Sequence, residues 1–445
     1  MSEAANFKTN HQYLDYLNQL ADQNFETSAT EDIYNETGVL LAKKGEKITT
    51  QISNLLKDDS LIKPFDLQIT ISKCKTNHDI LNDMIAEIEC NPALFKIYNF
   101  YQCDKYTASY LTAIEYPVSI RQKLTVMAKV IPHVYRESLI LGWFSGLVAR
   151  KLDLEFSNIS ELVFATIIHD IGFVFLPAKL SMQRTLDDSE VTAMKSHVSI
   201  GKSILELESS ISPSIITAVS EHHERLDRTG YPTRKSSSQI GLFGQIIGCI
   251  NLAYDIYSKD IVQNNLPFTF VGLSLKMHSG AFNKIVIDAV RTILHDVNHL
   301  FNQKSDTYVL QNLKVSIFHI NSYLLKLKAI IESLKPVMVE LHKEKKQLGL
   351  ITNYIKLEDV LKHSGIDHKD FVQGLPDVGL NSAEELLELY ALHNEVLWIY
   401  KRIGWHMQSL LGTENNFNKE QIDLILDSAN KIEELVVLAS QDSSH

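Results

Sequence analysis

Five side chains in this sequence could hold a metal: His169 and Asp170, then His197, then His222 and His223. Neutral imidazoles and carboxylates bind catalytic divalent ions, and such a site does chemistry when one coordination position stays open for water. Adjacent residues on a helix splay by roughly 100°, so a His-Asp or His-His pair on a helix does not easily share one ion. Such a pair can touch neighbouring ions, with the carboxylate as the bridge. A bridged pair of ions activates water and clamps a phosphate oxygen. With 17 histidines in the chain, a His-Asp dipeptide also arises by chance. His295-Asp296, with His299 nearby, has no companion motif and reads as surface or capping chemistry. For any one histidine a satisfied or exposed side chain is the default. The combination is what carries the metal reading.

The elements that must position these residues read as helices. Leu139, Ile140, Trp143, Leu147, Val148 and Leu152 recur at helical spacing, predicting one long helix over 134–154. A second is expected over 161–170, with Gly172 as its stop. Asp187, Asp188 and Glu190 open a third, whose continuation carries His197. Further helices are expected over 213–223, 241–257 and 283–301. Upstream, a short helix over 11–21 precedes a hairpin signal in 32–48, where Asn35-Glu36-Thr37-Gly38 separates two apolar runs. A helix over 49–57 follows. Beyond Asp306 the helical period holds over 307–346, 357–363, 382–411 and 418–440, punctuated by Gly365, Gly374-Leu375-Pro376 and Gly412. Trp398 and Trp405 are seven apart and share a helix face, which usually means core. The fold is therefore expected to be predominantly all-α. It divides into a small N-terminal accessory α+β module (1–75), a helical domain with the candidate ligands (76–302) and a helical C-terminal extension (303–445).

Composition narrows the function. Of 445 residues, 45% are hydrophobic and 22% charged, as in ordinary globular chains. A net charge of -11 argues against a broad grip on a nucleic-acid polymer, which needs clustered cations. The four cysteines form no CxxC pair, and suit a reducing compartment. Neither a signal peptide nor a run of ~18 apolar residues stands out, so the expected location is cytoplasmic, with no membrane partner.

Three ordered segments closely resemble the HD-GYP family. They are His169-Asp170-Ile171-Gly172, the run Met194-Lys195-Ser196-His197 through Gly201, and His222-His223-Glu224 through Gly230-Tyr231-Pro232. The family's patterns at these places are HDIGK, MKxHPxxG and HHExxDGxGYP, and the match covers roughly residues 120–300. The resemblance implies an all-helical bacterial domain that binds iron or manganese and hydrolyses cyclic di-GMP. It implies Asp170 as the catalytic, metal-bridging carboxylate, His169, His197, His222 and His223 as further ligands, and Asp227, Gly230, Tyr231 and Pro232 as the substrate loop.

The same alignment exposes departures. Where the family has its first ligand histidine this chain has Glu137, with His133 one helical turn earlier where some members have glutamate. Glu137 is kept as a ligand candidate. Leu252 stands where the last ligand, an aspartate, is expected. Phe173 replaces a phosphate-binding lysine, Gln245 an arginine, and Arg228 the glycine that tightens the loop. The implied reading is one well-made metal position of Asp170, His197, His222 and His223, a second that keeps His169 and Asp170 but is partly dismantled, and weakened hydrolysis of a cyclic dinucleotide. Its alternative is an inactive descendant that senses a ligand or serves as a scaffold. A protein partner or second copy would then engage the GYP loop or the C-terminal helices, as a homodimer in the latter case.

Overall fold

The computed structural model describes residues 10–58, 60–182, 186–264, 266–278, 280–301, 307–343, 348–364, 366, 383–411 and 418–442. Gly365, Gly374-Leu375-Pro376 and Gly412 lie outside them. The described residues are predominantly helical, as expected, with a few short strands near the N-terminus. The chain falls into two compact units: Met1–His223 with Gly241–Ile250, and Glu224–Ile240 with Asn251–His445. Neither 75 nor 302 separates them.

In the first unit α1 (Asn10–Ala21) and α2 (Thr50–Asp58) accompany four strands. The expected hairpin is present: β2 (Ile33–Tyr34) pairs antiparallel with β3 (Leu40–Ala42). Its turn is closed by Asn35, whose side-chain oxygen accepts from the N–H groups of Thr37 and Val39. β1 (Thr27–Ala29) pairs antiparallel with β4 (Ile69–Ile71), a partnership with no local signal in the sequence. This module shares its core with the helices that follow. Tyr13 stacks on Phe175 at 4.9 Å, and the Tyr16 hydroxyl donates to the Leu176 carbonyl at 2.8 Å. Lys123 reaches Asp66 at 2.7 Å, and both side chains are almost wholly buried.

Those helices are α3 (Asn77–Glu89), α4 (Pro92–Phe100), α5 (Thr107–Thr112), α6 (Val118–Val130), α7 (Pro132–Lys151) and α8 (Phe156–Ile167). After them come α9 (Lys179–Met182), α10 (Asp188–Lys195), α11 (His197–Glu206), α12 (Pro213–Glu221) and α13 (Leu242–Ile256), the last passing into the second unit after Ile250. α7 and α8 form the main pair. They approach so closely at Gly142 that an added Cβ would lie 2.6 Å from Ile167. α7 stops because Asp153 turns to φ 56° and Leu154 N–H bonds back to the Ala149 carbonyl, the usual left-handed helix ending. The stretch Phe156–Phe175 is apolar and long enough to cross a membrane by composition, yet 83% of it is buried in the fold, as in a core helix.

The second unit adds α14 (Thr269–Met277), α15 (Lys284–Val297), α16 (Thr307–Lys343), α17 (Leu348–Ser364), α18 (Ala383–Leu411) and α19 (Lys419–Asp442). α18 packs against α16, α17 and α19, and also against α14, where Phe270 meets Tyr390 at 5.7 Å. Buried Leu324, Leu334, Leu357, Ile403 and Ile432 form part of the apolar interior. Trp398 corrects the expectation of a core pair. It is 37% exposed, and cations rather than apolar side chains cover its ring.

Candidate metal centre

The ligand candidates sit at helix ends. α8 stops at Ile167, not at Asp170, so His169 and Asp170 occupy the turn before a 3₁₀ segment, Ile171–Phe175. α12 stops at Glu221, leaving His222 and His223 in the following turn, and His197 is the first residue of α11. The roughly 100° splay applies within a helix and not across these turns. His222 and His223 therefore do converge. Potential ligand atoms of Asp170, His197, His222 and His223 all lie within 4.8 Å of one another. The helix-geometry expectation that an adjacent pair does not easily share one ion thus fails here, and the grouping the resemblance implied is the one the fold makes.

The polar geometry shows what the cluster lacks. His169, His197 and His222 each direct Nδ1 at the backbone carbonyl three residues earlier: Thr166 at 2.7 Å, Met194 at 2.6 Å and Val219 at 2.7 Å. A carbonyl only accepts, so each Nδ1 carries the proton and each neutral ring is left with a bare Nε2. The Nε2 atoms of His197 and His222 stand 3.4 Å apart, and 3.2 and 3.5 Å from Asp170 Oδ1. His169 Nε2 lies 3.3 Å from Asp170 Oδ2. Lone pairs thus face lone pairs in a buried place, and neither His169 Nε2 nor Asp170 Oδ1 has a hydrogen-bond partner. Unpaired buried acceptors are costly, and a cation resolves the conflict. The residues fit a divalent ion.

Burial holds the His222 imidazole down to about 4, overriding the attraction of Asp170. Burial resists ionisation of Asp170, but the histidines around it, His169, His197 and His222, outweigh burial and hold the carboxyl well below the ordinary range. Both directions favour the ligand forms, neutral imidazole and carboxylate.

The surroundings are tightly built. A Cβ on Gly172 would fall 2.0 Å from the His197 carbonyl oxygen, so this glycine permits close approach of two segments and is not the helix stop the sequence suggested. Phe173 stacks on His197 at 4.3 Å with rings 12° from parallel, fixing the imidazole plane where a phosphate-binding lysine was expected. Glu221, buried beside the pair of histidines, accepts from Gly241 N–H at 2.7 Å. These supporting roles were not visible in the motif, although Glu221 and Glu224 flank the histidines directly.

Other candidates stand apart. Glu137, on α7, is half-buried and outside the four-residue cluster. His133 Nε2 lies 3.0 Å from the Ser181 carbonyl, a backbone contact. Leu252 lines a cleft of about 290 Å³ in the second unit with Trp398, Glu395 and His278, so the position where a ligand aspartate was expected is apolar. The loop with Asp227, Gly230, Tyr231 and Pro232 also belongs to the second unit. Asp227 Oδ1 is engaged within that loop, accepting from the Thr229 N–H at 3.0 Å and from its hydroxyl. Arg228 adopts φ 63°, so the turn keeps the shape a glycine gives it, contrary to the looser turn expected.

A family model described as HD domain matches residues 124–255. A cyclic di-GMP phosphodiesterase of Thermotoga maritima is 25% identical over 175 residues, covering 39% of this chain and 48% of that protein. A cyclic di-GMP phosphodiesterase of Pseudomonas aeruginosa is 29% identical over 129 residues, 29% of this chain and 31% of that one. A 3'3'-cGAMP-specific phosphodiesterase of Vibrio cholerae is 29% identical over 131 residues, 28% of each. This chain covers less than half the length of each of these relatives.

Proposed function

We propose that the protein is a metal-dependent phosphodiesterase of the HD-GYP type acting on a cyclic dinucleotide, a reading supported by the match of residues 124–255 to an HD-domain family model and by the relatives named above. The observation that carries the reading is the set of three imidazoles around the Asp170 carboxylate, each directing Nδ1 at a backbone carbonyl and leaving Nε2 toward Asp170. Asp170, His197, His222 and His223 would hold one ion. Three or more nitrogens with a carboxylate oxygen suit iron or manganese. The ion supplies Lewis acidity and water activation at neutral pH. The chain's own part is to keep the imidazoles neutral, hold Asp170 ionised and fix ring planes through Phe173. Asp170 has its second oxygen 3.3 Å from His169 Nε2, and Glu137 stands outside the four-residue cluster. In hydrolysis the water oxygen joins phosphorus, the ribose oxygen leaves, and the proton passes to it. The phosphate meets Phe173 in place of a lysine, which fits weak substrate binding. The relatives' named substrates support cyclic di-GMP or cyclic GMP-AMP, and four scattered cysteines without a CxxC pair suit a bacterial cytoplasm.

The test is metal content and turnover together. Anaerobically purified protein is expected to carry at least one iron or manganese per chain and to linearise one of the two cyclic dinucleotides. Asp170→Ala is expected to lose the metal and to lower turnover on the order of a thousandfold. A metal-free wild type, or turnover that survives Asp170→Ala, overturns the reading.

A further inference from the structure

The segment between His223 and Gly241 leaves the metal-bearing unit and belongs to the other, so it needs its own anchors there. One set is internal: Glu224 accepts from the N–H groups of Thr233 and Lys235 at 2.7 and 2.9 Å. Leu226 N–H reaches the Ala281 carbonyl at 3.0 Å, and Arg225 lies over the Phe282 ring. The remaining anchor comes from far along the chain. Arg402, on α18, donates Nη2–H to the Thr229 carbonyl, one residue before Gly230. Its guanidinium lies over the Trp398 ring, 4.5 Å from the centroid. Burial draws it down to about 10, and the Asp227 carboxylate is the main charge opposing that.

The platform under Arg402 is itself fixed. His278 meets Trp398 edge-on at 5.4 Å, and Lys356 lies over the same ring at 5.6 Å. Both side chains reach buried Glu395, His278 at 3.0 Å. A guanidinium is expensive to bury, and its planar fork suits simultaneous contact with a carbonyl and a carboxylate. Here that fork is spent on the loop.

We propose that Arg402 is a positioning residue for the loop around Gly230-Tyr231-Pro232: by holding the Thr229 carbonyl it lets the C-terminal helices set how well substrate is bound. The link to substrate rests on the reading of the preceding subsection; the hold on the loop does not.

Hydrogen exchange and kinetics on the full-length protein test the two parts separately. In Arg402→Met, exchange of the Thr229 amide is expected to rise about tenfold or more, the loss of one charge-assisted contact. Thr233 and Lys235, held by Glu224, are expected to stay near wild type, which separates local release from unfolding. With cyclic di-GMP, KM is expected to rise about tenfold while kcat holds within about twofold, and Arg402→Lys to recover part of the KM. Unchanged exchange at Thr229 overturns the positioning. Faster exchange with unchanged KM overturns the link to substrate. A wild type without turnover overturns the proposed function and, with it, the substrate link, while the exchange result still decides the role of Arg402. If Arg402→Met does not fold, Arg402→Lys, which keeps the charge and loses the fork, supplies the same comparison.

Discussion

Arg228 holds its backbone at φ 63° in an exposed loop, a conformation costing an L-residue about 1–2 kcal/mol that glycine avoids. Glycine in turn gives the unfolded chain more freedom, offsetting about 0.4–1 kcal/mol. Arg228→Gly is therefore expected to raise stability by about 0.5–1 kcal/mol in urea unfolding, and Arg228→Ala, which keeps the strain, to give no such gain. A gain with alanine equal to that with glycine would point to charge instead. At this scale much was legible. The order of His169-Asp170, His197 and His222-His223 marked the residues that the fold gathers, because imidazole and carboxylate chemistry is local to the side chain. That Asp170, His197, His222 and His223 share one centre followed only from the family resemblance and not from helix geometry, since it depends on helices ending at Ile167 and Glu221. The stacking of Phe173 on His197 was not legible, because only the packing of two separate segments creates it.

Helices α16 and α18 are joined by a polar contact inside their interface. His393, wholly buried, directs Nδ1 at the Leu389 carbonyl at 2.6 Å, and its Nε2 lies 2.8 Å from the Asn321 side-chain amide. Burial holds the imidazole down to about 4. The Nε2 contact is to Asn321 Oδ1, and the Asn321 amide nitrogen has no hydrogen-bond partner among the described residues. An unfolded histidine titrates near 6.5, so between about 6.5 and about 4 the unfolded chain binds the extra proton. Stability is then full above that window and falls as pH drops through it. Urea unfolding is expected to show a His393 contribution of about 2 kcal/mol lost between pH 7 and pH 5, and His393→Gln to flatten the profile by that amount. Equal slopes for the two proteins would contradict it. Helix existence was readable from apolar spacing alone, and the hairpin from its turn residues. The pairing of β1 with β4 was not, because its partners are brought together only by the fold between them.

The compact units cut across the divisions that punctuation in the sequence suggests. Glycine and proline mark where the chain turns, not which apolar face covers which. The α14 face that carries Phe270 is covered by α18, so residues after 302 complete a core begun before it. A chain ending at residue 302 is accordingly expected to be insoluble or aggregated in size-exclusion chromatography, whereas a soluble, metal-loaded monomer of that length would show the extension to be dispensable. The N-terminal module is likewise no detachable accessory. Removing either partner of the buried Lys123–Asp66 pair alone leaves a charge stranded in the interior, at about 3–5 kcal/mol, a large part of a domain's whole stability. Replacing both together with apolar groups costs far less. For a changing lineage these two positions are separated from their alternatives by a valley that single substitutions do not cross. A gene fusion that brought in a different N-terminal module, without a carboxylate facing Lys123, would bury a lone ammonium, so module and α6 travel through descent together.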